Sequence, residues 1–136
     1  MVTKIKNRLA SEQGFTLIEL LIVIIILGIL VAIAVPSYLS FRSKAQTAAA
    51  ESNVRSAIPA AESYYQGTGN GSYAGLTGAA LRTEAPGVAS TVKAGVQGAK
   101  YCIQDTEGGA TYSYEGGTGG AAVITNAACA AGYSVA

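Results

Sequence analysis

Apolar and polar positions divide this chain into three unlike stretches. Leu20–Val35 is an unbroken run of sixteen uncharged residues, with the small Gly28 inside it. Extended back to Phe15 and on to Leu39, the run predicts an apolar helix of about 25 residues, about 37 Å at the α-helical rise. That is long enough to cross a bilayer. Beyond Pro36 the pattern changes. In SYLSFRSKAQTAAAESNVRSAIPAAESYYQ, apolar or small residues recur at Ala50, Val54, Ala57/Ile58, Ala61 and Tyr65, a three-to-four spacing that makes one buried face. The alanines favour helix and let another element approach closely, while Glu51 and Arg55 form an i,i+4 pair in the favourable order. Pro36 and Pro59 each remove an amide donor and crowd the carbonyl four residues back. The pattern therefore predicts one helix over residues 15–66, with Gly28 and Pro36 bounding its weakest apolar segment and bends at Pro36 and Pro59.

The third stretch, residues 67–136, loses the helical period, and fifteen of the seventeen glycines fall in it. GTGNGSYAG (67–75) is a loop. It is glycine-rich, yet no Lys-Ser/Thr follows and no strand precedes it, as a phosphate-cradling loop would need. Thr77–Thr83 predicts a short helix capped by Thr77 and ending before Pro86. A weak alternation over residues 88–97 predicts a strand. Ala99–Asp105 and Ala110–Glu115 predict two more, joined as a hairpin through Thr106-Glu107-Gly108-Gly109. Ala121–Thr125 predicts a further strand after the GGTGG turn, and residues 127–136 a loop or edge strand. The fold class is α+β: a long bent N-terminal helix packed on a small antiparallel sheet.

Charge changes the picture at two places. Glu19 is a carboxylate inside the apolar block, where an ionisable group costs on the order of 3 kcal/mol to insert and marks a functional position. Residues 1–14 carry Lys4, Lys6 and Arg8 against Glu12, and the positive charge holds that end on the cytoplasmic side of a membrane. An ordinary secretory signal is cut after its apolar run. Here the small residue suited to cleavage, Gly14, precedes the run. A cut between Gly14 and Phe15 would retain the apolar helix and create an amine at Phe15, with Glu19 four residues on along the same helical face.

At these residues the chain resembles the type IV pilins: a short basic leader ending in Gly14, then FTLIELLIVIIILGILVAIAVPSY with Phe15, Glu19 and Pro36 at the family's spacing. The close match covers about residues 11–45. The resemblance implies that a membrane-embedded prepilin peptidase cuts after Gly14 and methylates the new amine of Phe15. It further implies that mature subunits polymerise through their apolar helices into an extracellular fibre. The stretch between Gly28 and Pro36 is expected to unwind on assembly, as the resemblance implies. The expected partners are identical subunits, the peptidase, the assembly machinery of the inner membrane and, before assembly, the membrane itself. Loss of residues 1–14 would leave 122 residues and take the net charge from +1 to −1, because the leader holds three of the nine bases and one of the eight acids.

Cys102 and Cys129 read as a disulfide in an exported head, with two free thiols as the alternative. A zinc site fits poorly, with two widely spaced Cys and no His in the chain. Closing a loop of about 28 residues is worth roughly 3.5 kcal/mol in the chain-entropy model, and a small head needs such a staple.

No constellation here suggests catalysis, and no cofactor or metal is expected. The chain lacks His, its serines lack a motif, and Glu84, Asp105, Glu107 and Glu115 do not follow a metal-loop spacing. Near-neutral charge gives no electrostatic capture of nucleic acid. The eight tyrosines read first as core and interface rings, with Tyr112 and Tyr114 on one strand face. The expected function is that of a structural fibre subunit. The alternatives are a pseudopilin of a type II secretion system, a minor pilin for DNA uptake and an uncut single-span anchor. The late cysteine pair resembles that of pilins and so favours the pilin reading over the pseudopilin, and Gly14 with Glu19 disfavours the uncut anchor.

Overall fold

A computed structural model describes residues 15–136; the basic leader and its Gly14 lie outside the described residues. The described residues run helix, short helix, then four strands. Helix α1 spans Leu17–Gln66, α2 Gly78–Glu84, and strands β1–β4 span Lys93–Gln97, Lys100–Glu107, Ala110–Gly117 and Ile124–Thr125. By its contacts the chain divides into two units, one ending at Ser40 and the other running from Phe41 to Ala136. Helix α1 contributes its first half to one and its second half to the other.

Among the described residues, the first unit is helix alone from Leu17 onward. From Leu17 to Leu39 its large apolar side chains are exposed on every side, as expected of a helix apolar all round with nothing among the described residues to cover it. Helical assignment continues through Gly28 and Pro36, and the Ser37 hydroxyl donates to the Ile33 carbonyl.

In the second unit, α1 buries a narrow stripe of Ala50, Val54, Ala57, Ala60, Ala61 and Tyr64. Sequence periodicity ended this stripe on Tyr65, but the buried ring is Tyr64. It lies three residues after Ala61, its hydroxyl donates to the Ala74 carbonyl at 2.8 Å, and Tyr65 lies at the surface. The helix also continues through Pro59, whose neighbours Ala57, Ala60 and Ala61 are all in the core. The small side chains permit close approach of sheet and loop residues. The same core holds Tyr73, Leu76, Leu81, Val88, Val92, Ala94, Tyr101 and Ile103.

The four strands form an antiparallel meander in sequence order. Alternation along β2 separates two faces. Tyr101, Ile103 and Asp105 face α1: the Tyr101 hydroxyl donates to Glu62 at 2.7 Å, and the Asn53 amide donates to Asp105 at 2.8 Å. Asp105 is buried, and its Oδ1 has no hydrogen-bond partner among the described residues. Cys102 and Gln104 face the other way, under the C-terminal segment. Cys102 is bonded to Cys129 with a Cα–Cα distance of 5.9 Å, and the Cys129 amide donates to Gln104 at 2.9 Å.

The expected hairpin is tighter than its four-residue signal. Its strands pair up to Glu107↔Ala110, leaving Gly108 and Gly109 as a two-residue turn with φ of 58° and 87°. Positive φ at both positions is what such a turn demands, and glycine accepts it without strain. Gly116 has a steric role instead. It pairs with Tyr101, and a Cβ there would overlap the tyrosine ring.

Two strands are shorter than expected. Residues 88–92 are not strand, because Val88 and Val92 close turns onto the carbonyls of Ala85 and Ala89. Both are buried, so their alternation reflects core contact from a loop. Strand β4 keeps Ile124 and Thr125 out of the expected 121–125. The glycine loop before it instead folds back, with the Ala122 amide donating to the Glu115 carbonyl at a left-handed φ of 53°. Residues 127–136 form no strand, yet Ala136 exchanges two backbone hydrogen bonds with Ala94 and so covers the β1 edge. Helix α2 starts where the sequence placed it, with the Thr77 hydroxyl accepting from the Ala80 amide.

Candidate functional site

The site residues singled out in the sequence fall in both units. Phe15 and Glu19 lie in the first, at the start of its described residues. Helix α1 begins at Leu17 rather than Phe15, because Thr16 caps it. The Thr16 carbonyl accepts from the amides of Glu19 and Leu20 at 3.1 and 3.2 Å, and its hydroxyl accepts from the Glu19 amide at 3.2 Å. Thr16 and Glu19 thus stand at the spacing of a capping box. Phe15 lies before the first helical residue, so it does not share a helical face with Glu19 as their i,i+4 spacing suggested. The Thr-x-x-Glu spacing is a local sequence signal for a helix start at this point.

This gives Glu19 a local reason to exist: a carboxylate in the first turn is favoured by the positive end of the helix dipole. That effect is worth about 0.3–1 kcal/mol, less than the roughly 3 kcal/mol cost of placing an ionisable group among apolar ones in a membrane. Capping alone therefore does not account for a carboxylate here. Phe15, Glu19 and the side chains from Leu17 to Leu39 are all exposed. Among the described residues α1 is the one helix long and apolar enough to cross a membrane.

Gly28 and Pro36 lie in the same segment. A Cβ at Gly28 would meet nothing within 4 Å, so no packing among the described residues requires glycine there. Pro59, Cys102 and Cys129 belong to the second unit, and the cysteines form the expected disulfide. Among the described residues no cluster of three or more metal-ligating side chains occurs.

The prokaryotic N-terminal methylation motif matches residues 9–35. A fimbrial protein of Eikenella corrodens, EcpC, is 33% identical over 128 residues, covering 76% of this chain and 81% of that protein. The chain belongs to the type IV pilin family. The type IV major pilin protein PilA of Myxococcus xanthus is 42% identical over 54 residues, 40% of this chain and 24% of that protein. A fimbrial protein of Pseudomonas aeruginosa is 49% identical over 53 residues, 39% of this chain and 34% of that protein. The chain thus matches about a quarter and about a third of the length of these last two relatives. No solved structure matches. Pilins are structural proteins; the described residues of this chain form a long apolar N-terminal helix and a small antiparallel sheet.

Proposed function

We propose that this chain is the precursor of a structural pilus subunit. It would reside in the inner membrane until its leader is removed, and then polymerise into an extracellular type IV fibre. The single observation that carries the reading is helix α1. Its first half is apolar on every side, covered by nothing among the described residues of its own unit, and charged among residues 17–40 only at Glu19. Lipid can cover such a surface before assembly, and the same helix of neighbouring copies can cover it afterwards.

The chain then works as three segments. Residues 1–14 are a leader cut by a prepilin peptidase after Gly14, residues 15–66 supply the membrane and fibre core and its continuation, and residues 67–136 form the disulfide-closed head. In the growing fibre the amine freed at Phe15 meets the Glu19 carboxylate of a neighbour. Each charge is costly alone in an apolar core, and pairing recovers much of that cost. Because axial slip by one residue, about 1.5 Å, begins to separate the pair, the contact also sets register. Gly28 and Pro36 flank the stretch that loosens to let the helices pack, and Pro59 sets the course of the helix into the head. The fibre, its assembly machinery and the peptidase are the partners, and the role is mechanical rather than enzymatic.

N-terminal sequencing of protein from sheared surface fibres tests the processing step. The expected first residue is Phe15, methylated on its amine. Gly14→Val, which puts a branched side chain where a protease cleft must grip bare backbone, is expected to leave full-length protein in the membrane. Normal maturation of that variant would overturn the leader assignment.

A further inference from the structure

One constellation in the second unit is used neither by the apolar helix nor by the disulfide. Glu62, on the exposed side of α1, accepts hydrogen bonds at both carboxylate oxygens: from Tyr101 at 2.7 Å and from Tyr73 at 3.0 Å. Tyr101 and Tyr73 are buried, with ring centroids 4.6 Å apart, and Tyr65 at the surface lies 4.7 Å from Tyr73. Glu62, Tyr65 and Tyr73 line a groove of about 510 Å³, completed by the loop residues Ser72, Gly117 and Thr118.

The carboxylate is held in place before any ligand arrives. Burial, then the hydrogen bond to Glu62, pushes the Tyr73 phenol up to about 12, and the same causes push Tyr101 upward. Both phenols therefore remain donors at neutral pH and orient Glu62 from below. Each carboxylate oxygen has two acceptor positions, so positions remain for donors from the groove.

Among the described residues no basic group lies within 4.0 Å of Glu62; the ion pair formed is Glu51–Arg55. The basic residue nearest in sequence to the groove wall, Lys100, packs along Gly119. It lies on the strand face opposite Tyr101. A fixed carboxylate, aromatic rings and no built-in cation together form a receptor of one sign. An anion would be repelled, and an apolar group would strip water from the carboxylate without replacing its hydrogen bonds.

We propose that this groove binds a small organic cation bearing N–H donors, an alkylammonium or guanidinium group seated on Glu62 beside the ring of Tyr65. Pre-organisation lowers the ordering cost of binding, and the tyrosine ring adds a cation–π contact. The inference does not depend on the pilus reading, since it concerns the folded second unit alone.

The test uses the full chain in detergent micelles, with tyrosine and glutamate side chains labelled for NMR and agmatine as the probe. Saturable shifts of Glu62, Tyr65 and Tyr73 are expected. Glu62→Gln should weaken binding about tenfold or more, the loss of one charge-assisted hydrogen bond. Glu84→Gln, whose carboxylate binds Thr68 and Ser63 instead, should bind as the parent does. Tyr65→Ala leaves the Glu62 anchors intact and should weaken binding less, which keeps the test decisive if Glu62→Gln disturbs the fold. Equal binding by parent, Glu62→Gln and Tyr65→Ala overturns the proposal. So does preference for a neutral methyl glycoside over agmatine, or an absence of saturable shifts in the folded parent.

Discussion

Helix α1 is one secondary-structure element with two chemistries. Residues 17–39 are apolar around the whole circumference and stay exposed in the isolated chain. The half from Phe41 to Gln66 is polar around most of its surface and buries a stripe mostly of alanines. A helix needs only local hydrogen bonds and propensity to form, so both halves form it equally well. They differ in where their stabilisation comes from. The second half draws it from its own sheet and loops, through close approach across Ala57, Ala60 and Ala61. The first half can gain comparable burial only from lipid or from other molecules. Changes in the two halves should therefore fail in different assays.

The sharpest separation is expected at Glu19. Glu19→Gln keeps size and polarity but removes the charge, so insertion and leader removal should be near normal while fibre incorporation falls by about tenfold or more, the loss of one charged pairing. Surface fibre and membrane pool of Glu19→Gln and Glu19→Asp, measured side by side, decide this. Wild-type fibre yield from Glu19→Gln would show that Glu19 is not the assembly contact.

The staple of the second half separates the two assays in the opposite sense. Cys102→Ser with Cys129→Ser should destabilise the head by about 3.5 kcal/mol and leave membrane insertion of the first half unchanged. The urea midpoint and protease resistance of the full chain measure the first effect, and membrane fractionation the second.

A smaller effect should follow from filling the narrow stripe. Ala57 is fully buried, so Ala57→Leu should cost about 1–3 kcal/mol through overpacking. Ala32→Leu, a matched change in the apolar half, should leave the urea midpoint of the head in place. Equal losses at the two positions would break the division drawn here.

The smallest effect is on pH dependence. An unfolded tyrosine ionises near 10, whereas folded Tyr73 does so at about 12 because of burial and Glu62. The unfolded state thus loses that proton first. This contribution to stability is full below pH 10 and is lost as pH rises toward 12. Tyr101, raised by the same causes, acts in the same direction. Tyr73→Phe should flatten the alkaline fall of the urea midpoint and move it little at neutral pH.

Much of this was legible in the residues themselves. The uncharged run, the small-residue spacing after it, the Thr77 cap and the Gly108-Gly109 turn are local signals, and each became the element it implied. The family relationship was carried by Gly14, Phe15, Glu19 and Pro36 in one short stretch. Glu62 was not legible, because it reads as one more acid on the polar side of a helix. Its importance comes from Tyr73 and Tyr101, which lie 11 and 39 residues away in sequence.

The sequence alone determined where the helix runs, that its first half needs a partner outside the chain, and that the head is a small glycine-rich sheet. Helix propensity, hydrophobic period and turn chemistry act over a few residues, so the sequence displays them directly. Only the tertiary structure decided that Tyr64 rather than Tyr65 enters the core, and that Val88 and Val92 pack from turns. It likewise decided that Asp105 is buried against Asn53, and that two phenols converge on Glu62. These outcomes depend on which sheet face meets which helix face. That choice follows from packing among residues distant along the chain, and no local pattern encodes it.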